Sequence, residues 1–399
     1  MPGFEIFGDE ERNSVLEVLE TGVLFRYGFD QARKGRWKAK TFEAELAKRT
    51  GADYALLCSS GTAALSIALA ACGIGAGDEV IVPPFTFIAT VESVLNAGAV
   101  PVFSEIDESL CLDPDKLESV LTPRTKAVLP VHMCGATARI DEIRDFCEKK
   151  GLILIEDACQ SLGASFKGKA VGTFGHAGCF SFDAVKTVTC GEGGGVITND
   201  ESIYLKADAY ADHGHDHKGN DRGLEGHAIL GANFRISELN AAVGVAQLRK
   251  LDFILEKQRK HKKAIREAMT QFSEITFRRL PDAEGDSATF LSFFLTDESK
   301  ACAVSKALAK AGVDGCFYWY DNNWHYLRQW EHLRRFQAGA KLPVQMSDNC
   351  PDYSRTNLPE SDSIMSRTIS MQIKLAWTEQ ELSQRIEKIE KVLRDFRHE

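Results

Sequence analysis

A lysine followed by a glycine-rich turn is the feature of this sequence with the clearest chemical potential. The segment Phe180–Lys186 (FSFDAVK) starts as an apolar stretch and ends at Lys186, and Gly191–Gly195 (GEGGG) follows it. A partly desolvated lysine has a neutral, nucleophilic amine that can form a Schiff base with a carbonyl. Flanking glycines let the backbone approach a bulky, flat cofactor closely. Taken alone, the segment is equally compatible with a surface lysine in a loop.

An acid at the end of an apolar stretch is the second such feature. Residues 153–156 (ILIE) predict a buried strand, and Asp157 follows. Open α/β sheets bind ligands at the carboxyl ends of their strands, where a carboxylate can keep a heterocyclic ring nitrogen protonated. Gln160, three residues later, has an amide that could bind a ring hydroxyl. The alternative is that Asp157 only caps a following helix.

A serine-rich turn before an apolar helix is the third feature. Ser59–Thr62 (SSGT) lies between a predicted strand and a predicted helix over Ala63–Cys72. N–H groups at a helix start, with hydroxyls beside them, form a phosphate cradle, although an ordinary serine N-cap gives the same pattern. Pro83–Phe87 (PPFTF) follows the next predicted strand and offers an aromatic ring that could stack on a flat cofactor.

These features follow successive strands in the order phosphate cradle, aromatic ring, acid and lysine, and their joint occurrence is far more specific than any one of them. They resemble the DegT/DnrJ/EryC1/StrS sugar aminotransferases. The resemblance covers nearly the whole chain and implies pyridoxal 5'-phosphate as the cofactor and a homodimer with shared active sites. It is carried by Ser60–Leu65, Glu156–Ala158, Phe180–Phe182, Lys186, Gly191–Gly194 and Asn233–Ser237.

The resemblance also implies a role for individual residues. Lys186 would carry the cofactor and move the proton, Asp157 would pair with the ring nitrogen, and Gln160, often a histidine in relatives, would contact the ring hydroxyl. We expect Phe87, rather than Phe85, to stack on the ring. The expected phosphate contacts are Ser60, Gly61, Thr62 and Ser181, with Asn233 donated by the other subunit.

Four further sequence segments resemble one branch of this group. Enzymes of that branch use glutamate to aminate C8 of an oxidised eight-carbon acidic sugar, an octulosonate of lipopolysaccharide. They are Phe25–Tyr27, Val131–Gly135, Asp212–His217 and Gly315–Tyr320. The expected partners are therefore glutamate and a small keto or aldehydo sugar acid. Arginine forks suit carboxylates. The predicted substrate contacts are Arg26, Arg222, Arg235, His215, Tyr318 and His325, although arginines such as these three are more often solvated surface charges.

The elements that must position these residues follow from hydrophobic patterning. Predicted strands over 54–58, 79–83, 100–104, 126–131 and 152–156 alternate with helices, which indicates βαβ units and a mostly parallel sheet. From about residue 275 the alternation stops, and a smaller α+β lobe is expected, ending in a helix over 379–396. With the resemblance, the predicted fold is α/β, pyridoxal-phosphate fold type I (aspartate aminotransferase-like). The predicted domains are residues 1–255, an arm and a large cofactor-binding domain, and 256–399, a small domain.

Composition limits the possible partners. The chain has 399 residues and a net charge of −9, so its surface is unsuited to nucleic acid or anionic membrane. Long apolar runs and a signal-peptide pattern are both missing, and the 11 scattered cysteines form no C-x-x-C pair. We therefore expect a cytoplasmic protein with reduced cysteines.

Several alternatives were weighed against this prediction. Alternating histidines at 213, 215 and 217 could bind a metal, but the sequence offers no clear second ligand pair, and no metal is predicted. Gly73–Gly77 (GIGAG) follows a helix and not a strand, which excludes a dinucleotide loop. Dehydratase relatives replace the lysine with histidine, whereas Lys186 is intact. A cofactor-binding regulator would add a DNA-binding domain or lose a catalytic residue. A lyase with the same Schiff base, or an aminotransferase for a nucleotide-linked sugar, stays open.

Overall fold

The structure is a computed structural model that describes residues 3–219, 222–346 and 350–396. Its first part is built on strands that alternate with helices. The strands are β1 (Tyr54–Cys58), β2 (Glu79–Val82), β3 (Val100–Phe103), β4 (Thr125–Val128), β5 (Ile153–Asp157), β6 (Ser165–Phe166), β7 (Lys169–Ala170), β8 (Ala177–Ser181) and β9 (Gly194–Thr198). The five strands that hydrophobic patterning predicted correspond to β1–β5.

The central sheet has seven strands in the order β1-β9-β8-β5-β4-β2-β3. Neighbours from β8 through β3 run parallel, whereas β9 is antiparallel to both β1 and β8. The mostly parallel sheet is therefore as predicted, with one reversed strand. All residues of β2, β8 and β9 are buried, as expected for strands covered by helices on both faces.

Helices cover both faces of this sheet. Helix α4 begins directly after β1, and its small apolar residues are almost all buried between the sheet and neighbouring helices. The helices up to the end of this part are α1 (Asp9–Leu19), α2 (Asp30–Arg33), α3 (Lys38–Thr50), α4 (Gly61–Ala71), α5 (Ala89–Asn96), α6 (Ile140–Lys150), α7 (Glu201–Ala211) and α8 (Glu238–Arg249).

A four-stranded sheet in the order β10-β11-β13-β12 organises the C-terminal part, and its neighbouring strands are all antiparallel. Apolar residues of α9, α10 and α13 pack on it in a core of their own. This is the α+β lobe that was expected. Its elements are β10 (Thr276–Phe277), β11 (Phe290–Phe294), β12 (Cys316–Phe317), β13 (Thr368–Gln372), α9 (Leu251–Met269), α10 (Glu298–Lys310), α11 (Glu331–Arg334), α12 (Pro359–Met365) and α13 (Glu379–Asp395).

The segment after β12 leaves this lobe and packs on the central sheet. Tyr326 forms a bridge with Phe85, and Trp330 is fully buried in the same core as α4. Helix α9 runs across residue 255, so the division at that residue stays a prediction. Within the described residues, no helix combines the length and the apolar character needed to cross a bilayer.

Candidate active site

A cavity of about 510 Å³ opens at the carboxyl ends of β1, β2 and β5 and is closed on one side by the C-terminal lobe. The order of the strands brings their ends together, although they are distant in sequence. Nine of the predicted residues line this cavity: Ser60, Gly61, Thr62, Phe87, Asp157, Gln160, Ser181, Lys186 and His325. The structure thus brings together the whole series inferred from motifs that follow strands.

The N-terminus of α4 forms one end of the cavity. Ser60 caps the helix, and its Oγ accepts a hydrogen bond of 3.0 Å from the N–H of Ala63. A Cβ on Gly61 would lie 2.7 Å from Cβ of Ser181, so only glycine permits this approach of helix and strand. The serine is therefore both an ordinary N-cap and part of a cradle in which free first-turn N–H groups suit a phosphate.

Asp157 ends β5 and is 4% exposed. Its Oδ1 accepts from the N–H of Cys159 at 3.0 Å, and its Oδ2 accepts from the hydroxyl of Thr90 at 2.8 Å. A turn, and not a helix, follows the strand, so the helix-capping alternative does not apply. Each oxygen keeps acceptor capacity beyond its single hydrogen bond. A carboxylate held in this way can bind a protonated ring nitrogen.

Gln160 lies beside Asp157 and is 5% exposed. Its Oε1 accepts a hydrogen bond of 3.2 Å from the N–H of Cys134, which fixes the orientation of the amide. The Nε2 group is thereby left as a donor. This arrangement suits the oxygen of a ring hydroxyl, which is the contact that was predicted for this residue.

Phe87 supplies the aromatic wall of the cavity. Its ring lies parallel to that of Trp324, with centroids 5.7 Å apart, and the N–H of Ile88 donates to the carbonyl of Trp324 at 3.1 Å. Phe85 is fully buried in the core and does not line the cavity. The preference for Phe87 over Phe85 as the stacking ring therefore agrees with where the two rings lie.

Lys186 is half-buried in the turn that follows β8. Its backbone N–H donates to the carbonyl of Asp183 at 3.0 Å, which anchors this turn, and the side chain lines the cavity opposite the α4 end. In the part of the chain that the structure describes, the charged side chains that line the cavity are Asp157, Asp183, Glu192 and Lys186. Lys186 is thus placed to offer an amine to a carbonyl group bound there.

His325 faces the cavity from the C-terminal lobe. Burial of the ring and the nearby positive charge of Lys186 lower the pKa of His325 to about 3. Asn322 Oδ1 accepts from the N–H of Trp324 at 2.9 Å and lies 3.1 Å from Nδ1 of His325, so Nδ1 must donate. The imidazole is therefore neutral, and its Nε2 is an acceptor. It suits a hydroxyl of a substrate rather than a carboxylate.

Other predicted residues lie outside the lining of this cavity. Arg26 is buried, pairs with Glu43 at 2.7 Å and donates to the carbonyl of Leu57. Tyr318 donates its hydroxyl to the carbonyl of Ser366 at 2.9 Å. As carboxylate or sugar ligands within one subunit, neither Arg26 nor Tyr318 has its polar group available.

A second group of predicted residues surrounds Asp212. Arg222 and Arg235 both donate to this buried carboxylate. The backbone of Asp212 also forms an antiparallel β-bridge with Asn233. Although burial opposes ionisation, hydrogen bonds from His217, Arg222 and Arg235 hold the pKa of Asp212 far below its usual value. None of these side chains lines the cavity.

The histidine loop is organised by carboxylates. His217 lies between Asp208 (2.6 Å) and Asp212 (3.0 Å), whereas His215 pairs with Glu225 at 2.9 Å. Across the described ranges, no three potential ligands converge in a manner that suits a metal ion. Contacts with carboxylates therefore account for the positions of both of these side chains.

Comparison with known proteins gives this geometry a family. The profile of the DegT/DnrJ/EryC1/StrS aminotransferase family matches residues 7–390. The chain belongs to that family. It is 42% identical over 240 residues to L-glutamine:2-deoxy-scyllo-inosose aminotransferase of Streptomyces kanamyceticus, covering 55% of this chain and 56% of that relative. GDP-perosamine synthase of Caulobacter vibrioides is 40% identical over 243 residues, with 61% and 62% covered. The matches thus span less than two thirds of these relatives.

Solved structures extend the similarity to the whole chain. The aminotransferase from Psychrobacter cryohalolentis superposes with a TM-score of 0.85 at 29% identity and covers 98% of both chains. NtdA from Bacillus subtilis, solved with bound cofactor PMP, has a TM-score of 0.79 at 25% identity and covers 98% of this chain and 84% of its own. The predicted fold type I is therefore confirmed, and pyridoxal phosphate is the cofactor of this DegT/DnrJ/EryC1/StrS family.

The residues present fit that cofactor. A helix N-terminus closed by Gly61 suits the phosphate, Asp157 suits the ring nitrogen, and the free Nε2 of Gln160 suits the ring hydroxyl. Lys186 lies in the same cavity. The phosphate, the ring nitrogen and the ring hydroxyl of the family's cofactor therefore each have a suitable group in this chain.

Sequence reasoning missed several residues of the site. Thr86 and Thr90 line the cavity, and their positions on either side of Phe87 were the available signal. The aromatic residues between 319 and 330 divide between the cavity and the core. Trp319 and Trp324 line the cavity, whereas Trp330 is buried in the core.

Proposed function

We propose that this chain transfers an amino group from glutamate to a carbonyl group of a sugar, using pyridoxal phosphate carried by Lys186. The observation that carries the proposal is the placement of Lys186, Asp157 and the N-terminus of α4 around one cavity of about 510 Å³. Such a cavity is large enough for a cofactor and one small substrate. Donor and acceptor would therefore use the same space in turn.

The cofactor, when bound, supplies an electron sink that stabilises a carbanion next to nitrogen. This chain's residues would hold it and orient it. Asp157 would keep the ring nitrogen protonated, Gln160 would donate Nε2–H to the ring hydroxyl, and Phe87 would press on one face of the ring. Ser60, Thr62 and Ser181, together with the first-turn N–H groups of α4, would hold the phosphate.

Lys186 would have two tasks. Its amine would hold the cofactor, and it would also act as the base that takes up and returns the proton of the donor's Cα. The hydrogen bond between the backbone N–H of Lys186 and Asp183 holds the turn, and the half-buried position limits access of water. Lys186 alone would therefore be sufficient for the proton transfer, and no second general base is needed.

The sugar would lie against the C-terminal wall of the cavity. Trp319, stacked on Phe317 with ring centroids 4.5 Å apart, gives a flat apolar surface, and His325 offers a neutral acceptor for a hydroxyl. Within this proposal the acceptor is 8-oxo-3,8-dideoxy-manno-octulosonate, aminated at C8 for lipopolysaccharide. Support comes from the sequence segments that contain this wall and the histidine loop, because they resemble the octulosonate branch of the family.

A carboxylate on either substrate needs a cation, and the described lining of one subunit contributes Lys186 alone. We therefore propose a homodimer in which Asn233 reaches the phosphate of the partner's cofactor, and Arg222 and Arg235 face the partner's substrate. Leu224 and Leu230 support this, because they are 84% and 95% exposed in the same loop region. Ile229 of the same loop region is also exposed, and apolar side chains that are exposed together mark an interaction surface, whereas a single one does not.

A second candidate is the amination of a nucleotide-linked keto sugar. Relatives named GDP-perosamine synthase favour it. The flat wall of Phe317 and Trp319 suits a sugar ring in either case. The donor also has an alternative, because one relative's name specifies L-glutamine.

The test is an absorption titration. Purified protein with pyridoxal phosphate should show the visible band of a lysine-bound cofactor, and addition of glutamate should convert the band and release 2-oxoglutarate. Lys186→Ala should lack the band, whereas Lys126→Ala, which removes an exposed lysine of β4, should keep it. A band that persists in Lys186→Ala would refute the proposal. Glutamine, the octulosonate aldehyde and nucleotide-linked keto sugars are then compared for conversion of the band and its return.

A further inference from the structure

Two threonines form a hydrogen-bonded chain that ends on the carboxylate of Asp157. Oγ1 of Thr90, at the start of α5, lies 2.8 Å from Oδ2 of Asp157, and Oγ1 of Thr86 lies 2.7 Å from that of Thr90. The three residues are 1%, 1% and 4% exposed. This contact joins the loop that carries Phe87 to the end of β5.

The direction of this chain follows from the number of protons available. An ionised carboxylate only accepts, so the single hydroxyl proton of Thr90 points to Asp157. Thr86 must then donate to Thr90, in preference to the longer contact of 3.3 Å with the carbonyl of Phe87. Successive hydroxyl donors polarise one another, so the last bond is stronger than an isolated one.

The backbone around Asp157 is fixed as well. Its N–H donates to the carbonyl of Pro130 at 2.9 Å, its carbonyl accepts from His132 at 3.0 Å, and the N–H of Cys159 binds Oδ1. The Thr90 hydroxyl completes the set by holding Oδ2. The plane of the carboxylate is thereby set by one contact on each oxygen.

We propose that Thr90, with Thr86 behind it, is a positioning residue that holds the carboxylate of Asp157 aimed at the ring nitrogen of the cofactor. The inference rests on the proposed function. A hydrogen bond to a charged group is stronger than one between neutral groups, so the Thr90 hydroxyl restrains Oδ2 effectively. Without it, the carboxylate could turn away from the ring nitrogen, and the ring would withdraw electrons less strongly.

The other titratable groups around Asp157 do not replace this hydroxyl. Burial and the charge of Asp157 raise the pKa of the Cys159 and Cys179 thiols well above the usual value, so both remain neutral. His132 accepts from the N–H of Ala138 through Nδ1 and turns Nε2 to Glu156 at 3.0 Å. Lys186 lines the same cavity, but the structure records no hydrogen bond between its side chain and Asp157.

The test compares Thr90→Val, Thr90→Ser, Thr86→Val and the control Thr50→Val in the full-length enzyme with its cofactor. Thr50 is also buried, but its hydroxyl binds the carbonyl of Leu46 in α3 and lies outside the cavity. Two quantities are measured: the pH at which the visible band of the bound cofactor changes, and the single-turnover rate of its conversion by glutamate.

For Thr90→Val we expect a conversion rate lower by about tenfold, which is the effect of losing one hydrogen bond to a charged group, with less than about a twofold change in half-saturating glutamate. The band transition should move to higher pH by about half a unit. Thr90→Ser should stay within about twofold of wild type, and Thr86→Val should fall about threefold, because it only weakens the final bond. Thr50→Val should equal wild type.

Three results would overturn the inference: wild-type spectra and rates in Thr90→Val, a Thr90→Ser enzyme as slow as Thr90→Val, or an equal loss in Thr50→Val. If Thr90→Val does not fold, as judged by circular dichroism of the apoprotein, Thr86→Val decides, and a wild-type result there overturns it. Failure of the proposed function looks different, because the wild-type enzyme would then show no band that depends on Lys186.

Discussion

The rings of Phe87 and Trp324 lie almost parallel, with planes inclined by 10° and centroids 5.7 Å apart. The two residues come from opposite halves of the chain and are joined by a backbone hydrogen bond from Ile88 to Trp324. Both rings line the cavity. The C-terminal lobe thus holds a ring that the large domain contributes to the cavity.

Removal of Trp324 should therefore weaken cofactor binding. Aromatic pairs contribute about 0.5–1.5 kcal/mol beyond their buried area, so Trp324→Ala should raise the Kd for pyridoxal phosphate by roughly 2- to 12-fold. The measurement is a titration of apoprotein followed by absorption. Trp377→Ala, which removes a tryptophan that packs on His261 in the C-terminal lobe, is the control and should leave the Kd unchanged. Equal Kd values for Trp324→Ala and wild type would contradict this role.

Gly61→Ala should damage the phosphate cradle. The added Cβ would lie 2.7 Å from Cβ of Ser181, which requires helix α4 or strand β8 to shift. Overpacking of this kind costs about 1–3 kcal/mol, and the displaced N–H groups should also raise the Kd for the cofactor by at least about tenfold. Gly75→Ala is a matched control, because its Cβ would meet nothing closer than 3.9 Å. Denaturant unfolding and the cofactor titration together report both effects.

The neutral His325 should make the folded protein sensitive to acid. Its pKa of about 3 lies below the ordinary value of about 6.5, so the unfolded chain binds a proton first as pH falls. Stability is therefore lost between pH 6.5 and 3, by about 1 kcal/mol per pH unit. His325→Asn keeps a donor toward Asn322 without a titrating group, and the slope of its unfolding free energy against pH should be smaller over this window. Parallel slopes would show that folding does not lower the pKa of His325.

His217 should have the opposite dependence. Although burial favours the neutral ring, the hydrogen bonds that His217 donates to the carboxylates of Asp208 and Asp212 raise its pKa to about 9. A raised pKa gives stability that is fully present below about pH 6.5 and is lost as pH rises through 9. His217→Gln should therefore be less stable than wild type at pH 6, by about 1 kcal/mol given the partial exposure of the pair, and nearly as stable at pH 10. Denaturant unfolding at the two pH values measures the difference.

Much of the site could be predicted from local sequence. Asp157 and Lys186 follow apolar strands, and Gly61 opens an apolar helix, so strand order and residue type placed them at one edge of a parallel sheet. The prediction works because strands that alternate with helices run parallel, so residues that follow them lie at the same edge of the sheet. Chemical type then limits what each side chain can do.

Contacts between distant segments could not be predicted in this way. The Thr90–Asp157 hydrogen bond joins residues 67 apart, and Arg26 is consumed by Glu43 at a distance of 2.7 Å rather than left free for a substrate. A paired arginine and a free arginine cannot be distinguished in the sequence. Its partner is decided by which elements pack side by side, and a pattern of a few residues carries no record of that.

The sequence by itself determined the chemistry of this protein: a lysine, an acid and a phosphate cradle in strand order, and with them the family. The tertiary structure decided which surroundings give these groups their properties. It neutralised His325 by burial, turned Gln160 through the N–H of Cys134, and covered Phe87 with a ring from the other lobe. The physical reason is that charge state and orientation depend on desolvation and on hydrogen-bond partners, and both arise only when separate segments pack together.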